Sequence, residues 1–453
     1  MTIMKTLLEF KKIADALHGS GGYENGAYLV KYDSETDDQY SKRRAVAWFA
    51  NELFLACDRF VGYISKRPPN RTEIKDARLL KFVDDCNWRG DSLDVFWQSF
   101  MIEAKARGSM LVLVDMPQEI PSNAQSQLDQ RAFPYLVTIK PEELVDFSVD
   151  KRGRLTMVEI KDMLDDEPVI RGWDEEKWYI KKDDQIIKSN NHGLGLCPVL
   201  AFTEMNDFPA LGGFSSMEPI IKRLYNIRSE LDEILRRHTF PIFSAQFPLI
   251  EPSMYLDPGT AQTMQAKMIG QLQEGIKKLG AERGIVSPGS VGFVAPPDGP
   301  ATTLQNTIKE LEEKINEIGL KIDMTGERTA ESGLALTIRF QALNAALTRF
   351  ARRMEDLERR VFDVASRWLK IDTEAITEWG KDYELADPER EIAILQQMQA
   401  AALPEEVIKK QMQTVINAQF STADPEEVDE LNNSVDEFSQ ERPLPAEPTN
   451  QGV

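Results

Sequence analysis

The sequence predicts an α+β protein that is mainly helical. Three long segments repeat apolar residues at alternating steps of three and four, which is the spacing of amphipathic helices that pack against other helices. These segments cover residues 215–240, 302–324 and 334–369. Residues 110–202 instead carry short apolar or alternating runs separated by turn residues, which is typical of β-strands.

The first hundred residues are predicted to be helical. Residues 1–18 place lysines inside the apolar pattern, which favours an amphipathic helix over a signal peptide. Residues 41–66 are apolar on almost every side, so we expect one buried helix there. Shorter helices are expected at 72–85 and 91–107, and Gly108 then marks the change to strand-like sequence.

The strands that follow are predicted from runs of β-branched and aromatic residues, with a hairpin turn at 150–153. They are expected at residues 110–114, 135–139, 145–149, 155–160 and 198–202, with Trp173, residues 178–180 and residues 186–187 continuing the sheet as a meander. Together with the preceding helices they form an α+β domain that ends near residue 207.

Two of the three long helices flank a small module rich in Pro and Gly, residues 241–300. Their apolar stripes include Leu224, Leu231, Leu311, Ile315 and Ile318. Such a stripe needs a partner helix, either in the same chain or in a neighbouring copy. The chain order favours a stalk made of these two helices, with the small module as a head at its end. A two-helix stalk leaves apolar surface exposed, which neighbouring copies side by side would have to cover.

The third long helix, 334–369, alternates arginines with acidic residues, which predicts salt bridges to other elements. A glycine-bounded loop, 325–333, precedes it. After it we expect a short strand at 375–379 and helices at 388–402 and 404–419. Residues 424–453 carry nine acids against one arginine, so disorder is predicted there.

Composition limits the class of protein. The 453 residues have 54 Lys and Arg against 74 Asp and Glu, a formal charge of −20. This charge argues against tight binding of nucleic acid, although it permits nucleic acid to move past the protein without being bound. Three cysteines without a CxxC pair favour a reducing compartment without disulfides or a zinc cluster. No apolar run approaches a membrane span.

No group of residues predicts catalysis. The three histidines share no metal-ligand spacing, and the phosphate-binding GxxxxGK[ST] motif is absent from the sequence. We therefore expect no enzyme activity, no cofactor and no metal. Lys314 and Lys321 lie seven residues apart and share one stripe of a helix. They are either solubilising surface residues or a thin line of positive charge that faces a polyanion.

Two segments carry a resemblance to a known family. The first is residues 198–202 (PVLAF) followed by 212–226 (GGFSSMEPIIKRLYN), and the second is 331–336 (ESGLAL) followed by 341–346 (QALNAA). With the order of modules over residues 40–420, they make the chain resemble the portal proteins of tailed bacteriophages, the head-to-tail connectors. The first segment resembles the family's entry into a stem helix, and the second resembles its junction between loop and long helix.

The resemblance implies a portal-like architecture with named modules. These are a wing (1–207), a first stem helix (208–240), a small α/β clip (241–300), a second stem helix (301–324), a tunnel loop (325–333), a second part of the wing with the long helix and a strand (334–386), a helical crown (387–422) and the acidic tail (423–453).

The resemblance also implies a function. The chain would form a ring of twelve copies at a single capsid vertex in the virion, assembled in the host cytoplasm without a membrane. Its channel would pass double-stranded DNA during packaging and ejection. The clip would meet the terminase large subunit and later the head-completion or adaptor proteins, and the ring would contact major capsid and scaffolding proteins.

Residue roles follow from the same resemblance. The tunnel loop and stem would lie near DNA, and Lys314, Lys321 and Arg328 would touch phosphates transiently. The full set is Lys314, Lys321, Thr325, Gly326, Glu327, Arg328, Thr329 and Gly333. The stem residues expected to pack between copies are Leu224, Leu231, Leu311, Ile315 and Ile318.

Two other classes of protein remain open at this point. One is a cytosolic metal-dependent nuclease whose helical bundle covers the α+β domain. The other is a helical scaffold protein that binds partner helices as a monomer. Particle size separates both from a ring.

Overall fold

The computed structural model describes most of the chain. The described residues are 2–205, 207–239, 242–246, 258–278, 284–287, 292–294, 299–319, 333–372, 375–381, 383, 388–401, 404–420 and 425–436. The chain divides into two units, Met1–Lys381 and Asp382–Val453.

The N-terminal unit begins with helices and one short strand. They are α1 (Thr2–His18), α2 (Asp37–Val46), α3 (Glu52–Ser65), β1 (Asn70–Thr72), α4 (Ala77–Asp84) and α5 (Leu93–Arg107). The single helix expected over residues 41–66 is wrong, because the chain leaves α2 after Val46 and restarts at α3. Asn51 explains the restart, since its side chain accepts a hydrogen bond from Phe54 N and caps α3.

Two antiparallel sheets follow. Their elements are β2 (Ser109–Asp115), α6 (Ala124–Asp129), β3 (Tyr135–Ile139), β4 (Leu144–Val149), β5 (Leu155–Leu164), β6 (Glu167–Trp173), β7 (Lys177–Lys182), β8 (Gln185–Asn191) and β9 (Val199–Thr203). One sheet has the order β3-β2-β9, and the other is the meander β4-β5-β6-β7-β8. Leu111, Val158, Trp173 and Val199 belong to one buried apolar cluster of these strands. The predicted strands are confirmed, except that β6 begins at Glu167, ahead of the predicted Trp173.

The rest of the unit alternates helices with short strands. These elements are α7 (Glu218–Thr239), β10 (Ile242–Gln246), α8 (Pro258–Lys278), β11 (Gly284–Ser287), β12 (Gly292–Val294), α9 (Gly299–Ile318), α10 (Gly333–Leu369) and β13 (Ile376–Glu378). Helices α7 and α9 pack against each other. The module between them is a three-stranded sheet, β11-β10-β12, with α8 packed on β11.

Helix α10 buries its apolar stripe in its own chain. Leu347, Met354 and Val361 have no exposed surface. The Phe350 ring lies 5.1 Å from the Phe202 ring of β9 and contacts α3 as well, while α10 also packs on β2. For this helix, therefore, the covering partner is the wing of the same chain.

The charges of α10 behave differently from the prediction. Arg359 pairs with Asp356, and Arg367 pairs with Asp363, both within the helix. Arg360 also pairs with Asp356, whereas the buried Glu358 pairs with Arg71 of β1. A salt bridge to another element is therefore confirmed for Glu358, and the pairs of Arg359, Arg360 and Arg367 are local.

The C-terminal unit has three helices, α11 (Pro388–Ala400), α12 (Glu405–Gln419) and α13 (Pro425–Asp436). Helix α12 packs against both α11 and α13. The disorder predicted from residue 424 onward is wrong for α13. Pro425 at the first helical position followed by two glutamates favours helix initiation there.

None of the helices in the described ranges combines the length with the apolar character that crossing a membrane requires.

Candidate functional site

The paired helices α7 and α9 are the candidate site, and their root on the wing is fixed by backbone contacts. Gly108 ends α5 with φ +87°, and a Cβ built there would lie 2.2 Å from Gly212 N. Gly212 N donates to Arg107 O at 3.2 Å, and Phe214 N donates to Lys105 O at 2.9 Å. A Cβ on Gly213, which has φ +54°, would lie 1.9 Å from Lys105 O, so glycine is a steric requirement at Gly108 and at Gly213.

A buried lysine secures the same junction. Lys105 Nζ lies 2.7 Å from Glu204 Oε1, and the faces of three phenylalanine rings surround it. The ring centroids of Phe60, Phe214 and Phe350 lie 4.2, 4.5 and 5.6 Å away. Cation–π contacts and one carboxylate compensate for the lost water. This cluster joins α3, α5, α10 and, through Phe214, the segment that leads into α7.

An ion network joins the paired helices to α3. Arg228 of α7 donates to Glu52 of α3 and, at 2.8 Å, to Glu312 Oε1 of α9. The Trp48 ring stacks on this guanidinium with its centroid 5.0 Å from Arg228 Cζ. Trp48 Nε1 also donates to Asp232 on α7 at 3.2 Å. Sequence reasoning missed Arg228, and the available signal was its place on an amphipathic helix four residues before Asp232.

The five predicted packing residues divide into two groups. Leu224 is fully buried and Ile315 is 4 % exposed, both within one protomer. Those two residues belong to the protomer core and have no surface left for a neighbouring copy, which corrects their predicted role. Leu231, Leu311 and Ile318 are half-buried and still present apolar surface.

A cleft of about 240 Å³ opens where α3, α7 and α9 meet. Leu55, which is 57 % exposed, lies beside Arg59 on its α3 wall, and Asn316 and Gly319 lie on the α9 side. Glu52 Oε2 is buried in this region and has no hydrogen-bond partner among the described residues. The cleft thus combines exposed apolar surface with one unsatisfied carboxylate oxygen.

The predicted DNA-facing residues fall largely outside the described residues. Lys314 is exposed on α9, and no carboxylate among the described residues pairs with it. Gly333 is the first residue of α10. The remaining six residues lie outside the described ranges: Lys321, Thr325, Gly326, Glu327, Arg328 and Thr329.

Glu218 is a buried acid at the start of α7. It is 6 % exposed, and its Oε1 has no hydrogen-bond partner in the part of the chain that the structure describes. Burial raises the pKa of this carboxyl, while Lys12 and Lys222 act in the opposite direction. Among the described residues, no three His, Cys, Asp or Glu side chains are placed to hold a metal ion together.

Comparison with known proteins gives structural matches only. No protein-family model and no curated protein matches the sequence. One similar solved structure is the neck of a native gene transfer agent particle, computed with twelve-fold symmetry. The match has 10 % identity, covers 85 % of this chain and 99 % of that chain, and has a TM-score of 0.42. The virion of the native particle matches with 10 % identity over 86 % and 94 % and a TM-score of 0.41.

A third similar structure is titled as an HK97-family phage portal protein from Corynebacterium diphtheriae. It has 7 % identity over 73 % of this chain and 92 % of that chain, with a TM-score of 0.35.

Proposed function

We propose that this chain is a portal protein of a tailed bacteriophage or a related particle. Twelve copies form a ring at one capsid vertex, and DNA passes through the central channel during packaging and ejection. The ring is not an enzyme. The clip sheet with α8 is the docking surface for the terminase motor and then for head-completion proteins.

One observation carries the proposal: a small sheet module is inserted between two helices that pack side by side, and the chain then returns along the wing through α10. Two paired helices cannot cover their own outer sides. Leu231, Leu311 and Ile318 remain half-buried on α7 and α9. Lateral contact with copies of the same pair completes their burial, and a heterologous contact of this kind closes into a ring.

Charge supports the passage of DNA. A chain of formal charge −20 gives a ring of twelve about −240, so the ring as a whole repels phosphates. Strong contacts from lysine and arginine side chains to the phosphates would slow the movement of the DNA duplex through the channel. In this proposal Lys314, Lys321 and Arg328 make the few transient phosphate contacts.

Particle mass and shape test the proposal directly. A ring has a mass of about 620 kDa, twelve times 51.4 kDa, and a central hole in negative stain. Light scattering of the purified full chain at several concentrations measures the mass. A compact particle of 51.4 kDa without a hole would refute the proposal and would leave the nuclease and the monomeric scaffold.

Surface variants test the helix pair. Leu311→Asp combined with Ile318→Asp places charges on the half-buried sides of α9, so we expect the ring to dissociate while helical circular dichroism is retained. Ile187→Asp, at a 52 % exposed position of β8, is the control and should leave the ring intact. Intact rings from the folded double variant would show that α9 does not pack between copies.

Deleting residues 325–333 tests the tunnel loop separately. The ring should still assemble, because the wing and the paired helices are untouched. DNA packaging in an assembly assay should fall. Unchanged packaging would remove the proposed role of the loop without affecting the ring.

A further inference from the structure

The three helices of the C-terminal unit leave a groove open between them. Helix α12 forms its floor, and α11 and α13 contribute its walls. The groove has a volume of about 290 Å³ and is lined by Leu395, Met412, Val415, Ile416, Ser434 and Val435. Five of these six residues are apolar, so the groove exposes a continuous apolar surface.

The arrangement of the three helices suits a further helix. Three helices with a central one packed on both others form an open layer, and one further helix over the floor would complete a two-layer bundle. A methionine on the floor suits such a site, because its flexible thioether adapts to the side chains of an incoming partner. Helix-in-groove recognition uses apolar anchors spaced three and four residues apart.

The charge of the unit selects the kind of helix. Residues 382–453 contain sixteen Asp and Glu against four Lys and Arg, a formal charge of −12 out of −20 for the chain. The other 381 residues therefore carry only −8. A second copy of this unit, or a nucleic acid, would be repelled, whereas a basic segment would be attracted.

We propose that this groove binds an amphipathic α-helix of another protein, with an apolar face on α12 and a lysine- and arginine-rich opposite face. The proposal goes beyond the portal function and does not depend on it, because all of the groove residues lie in the C-terminal unit. The chain's own residues 437–453 are a poor occupant, since they contain three prolines and three glutamates against one arginine.

The test measures peptide binding to the full-length protein by fluorescence anisotropy. The probe is a fluorescein-labelled peptide of about 18 residues, five helical turns, with leucines spaced three and four apart and lysines elsewhere. One control peptide has the same residues shuffled so that no apolar face forms. The other has glutamate in place of every lysine. Both controls should bind at least about tenfold more weakly.

Two valines of α12 provide matched protein variants. Val415 lines the groove, whereas Val407 is 42 % exposed and does not. Val415→Asp should weaken binding about tenfold or more, because it places a carboxylate against the apolar face of the probe. Val407→Asp adds the same charge to the same helix and should change the affinity less than about twofold. Circular dichroism checks that both variants are folded.

Several results would overturn the proposal. Equal binding of the shuffled peptide would reduce the effect to charge attraction, and equal binding of the glutamate peptide would remove the charge complementarity. Equal affinities of the two valine variants would place the site elsewhere. A chain that ends after Asp436 should bind as the full chain does, and a tenfold gain would make residues 437–453 the occupant. Binding confined to dissociated chains would show that a neighbouring copy fills the groove.

Discussion

Removal of the Glu358 carboxylate should destabilise the N-terminal unit strongly. Glu358 is fully buried on α10. One of its oxygens accepts from Arg71 Nε, and Trp379 Nε1 donates to the other at 2.7 Å. Arg71 is itself 9 % exposed and pairs with Asp94 of α5 at 2.7 Å. A single carboxylate therefore joins α10 to β1 and to the residue after β13.

The expected loss follows from which groups remain buried. Glu358→Ala leaves the Arg71 guanidinium with one partner and the Trp379 indole N–H with none. Breaking a buried ion pair from one side costs about 3–5 kcal/mol. Glu358→Gln keeps one acceptor, so a smaller loss of about 1–3 kcal/mol is expected. Asp363→Ala removes a half-exposed acid of the same helix that pairs with Arg367, and about 0–1 kcal/mol is expected.

Urea unfolding at a fixed protein concentration measures these differences, because assembly would otherwise shift the apparent stability. Hydrogen exchange at the β1 and β13 amides adds a local measurement and should rise first in Glu358→Ala. If Glu358→Ala and Asp363→Ala had the same unfolding free energy, the carboxylate would not be the structural link described here.

Three further predictions concern single residues. Glu218→Gln should stabilise the fold at a pH above the pKa of Glu218 in the folded protein and have no effect below its ordinary pKa of 4.5. The reason is that a carboxyl with a raised pKa in the folded state lowers the native stability as the pH rises from 4.5 through that raised pKa. Melting temperatures at several pH values check this. Gly108→Ala should cost more than about 3 kcal/mol, since its Cβ meets the Gly212 backbone, whereas Gly153→Ala, with φ +77° and open space, should cost about 1–2 kcal/mol in urea unfolding. The three cysteines should resist a thiol reagent in the native protein and react in denaturant, because burial raises the pKa of each thiol.

The elements of the fold were largely predictable, because the period of the apolar pattern is a local property. The strands from Ser109 to Thr203 and the long helices appear where alternation and heptad spacing place them. The break before α3 was not predicted, because Asn51 is a single polar residue in an apolar run and the sequence alone does not show that it caps a helix. Helix α13 was not predicted, because the many acidic residues of the C-terminal segment indicate disorder, while Pro425 at its first position is a weaker signal for a helix.

The site was less predictable, because a heptad stripe does not encode which surface covers it. Leu224 and Ile315 have the same spacing as Leu231 and Leu311, yet the first two are buried in the protomer and the last two are half-exposed. The difference comes from neighbours distant in sequence, such as α3, whose Glu52 meets Arg228 of α7. The roles assigned to residues 325–329 remain predictions.

The glycine crossing at the root of α7 has a mechanical consequence. Gly108 and Gly212 touch through bare backbone, and Ser109 Oγ donates to Ala210 O at 2.7 Å beside them. Because this contact is formed by backbone atoms, no side-chain rotamer can change to accommodate a rotation of α7 relative to α5. Rotation at this point would break several hydrogen bonds together, so a load on the far end of the helix pair should bend the helices along their length and leave the anchor rigid.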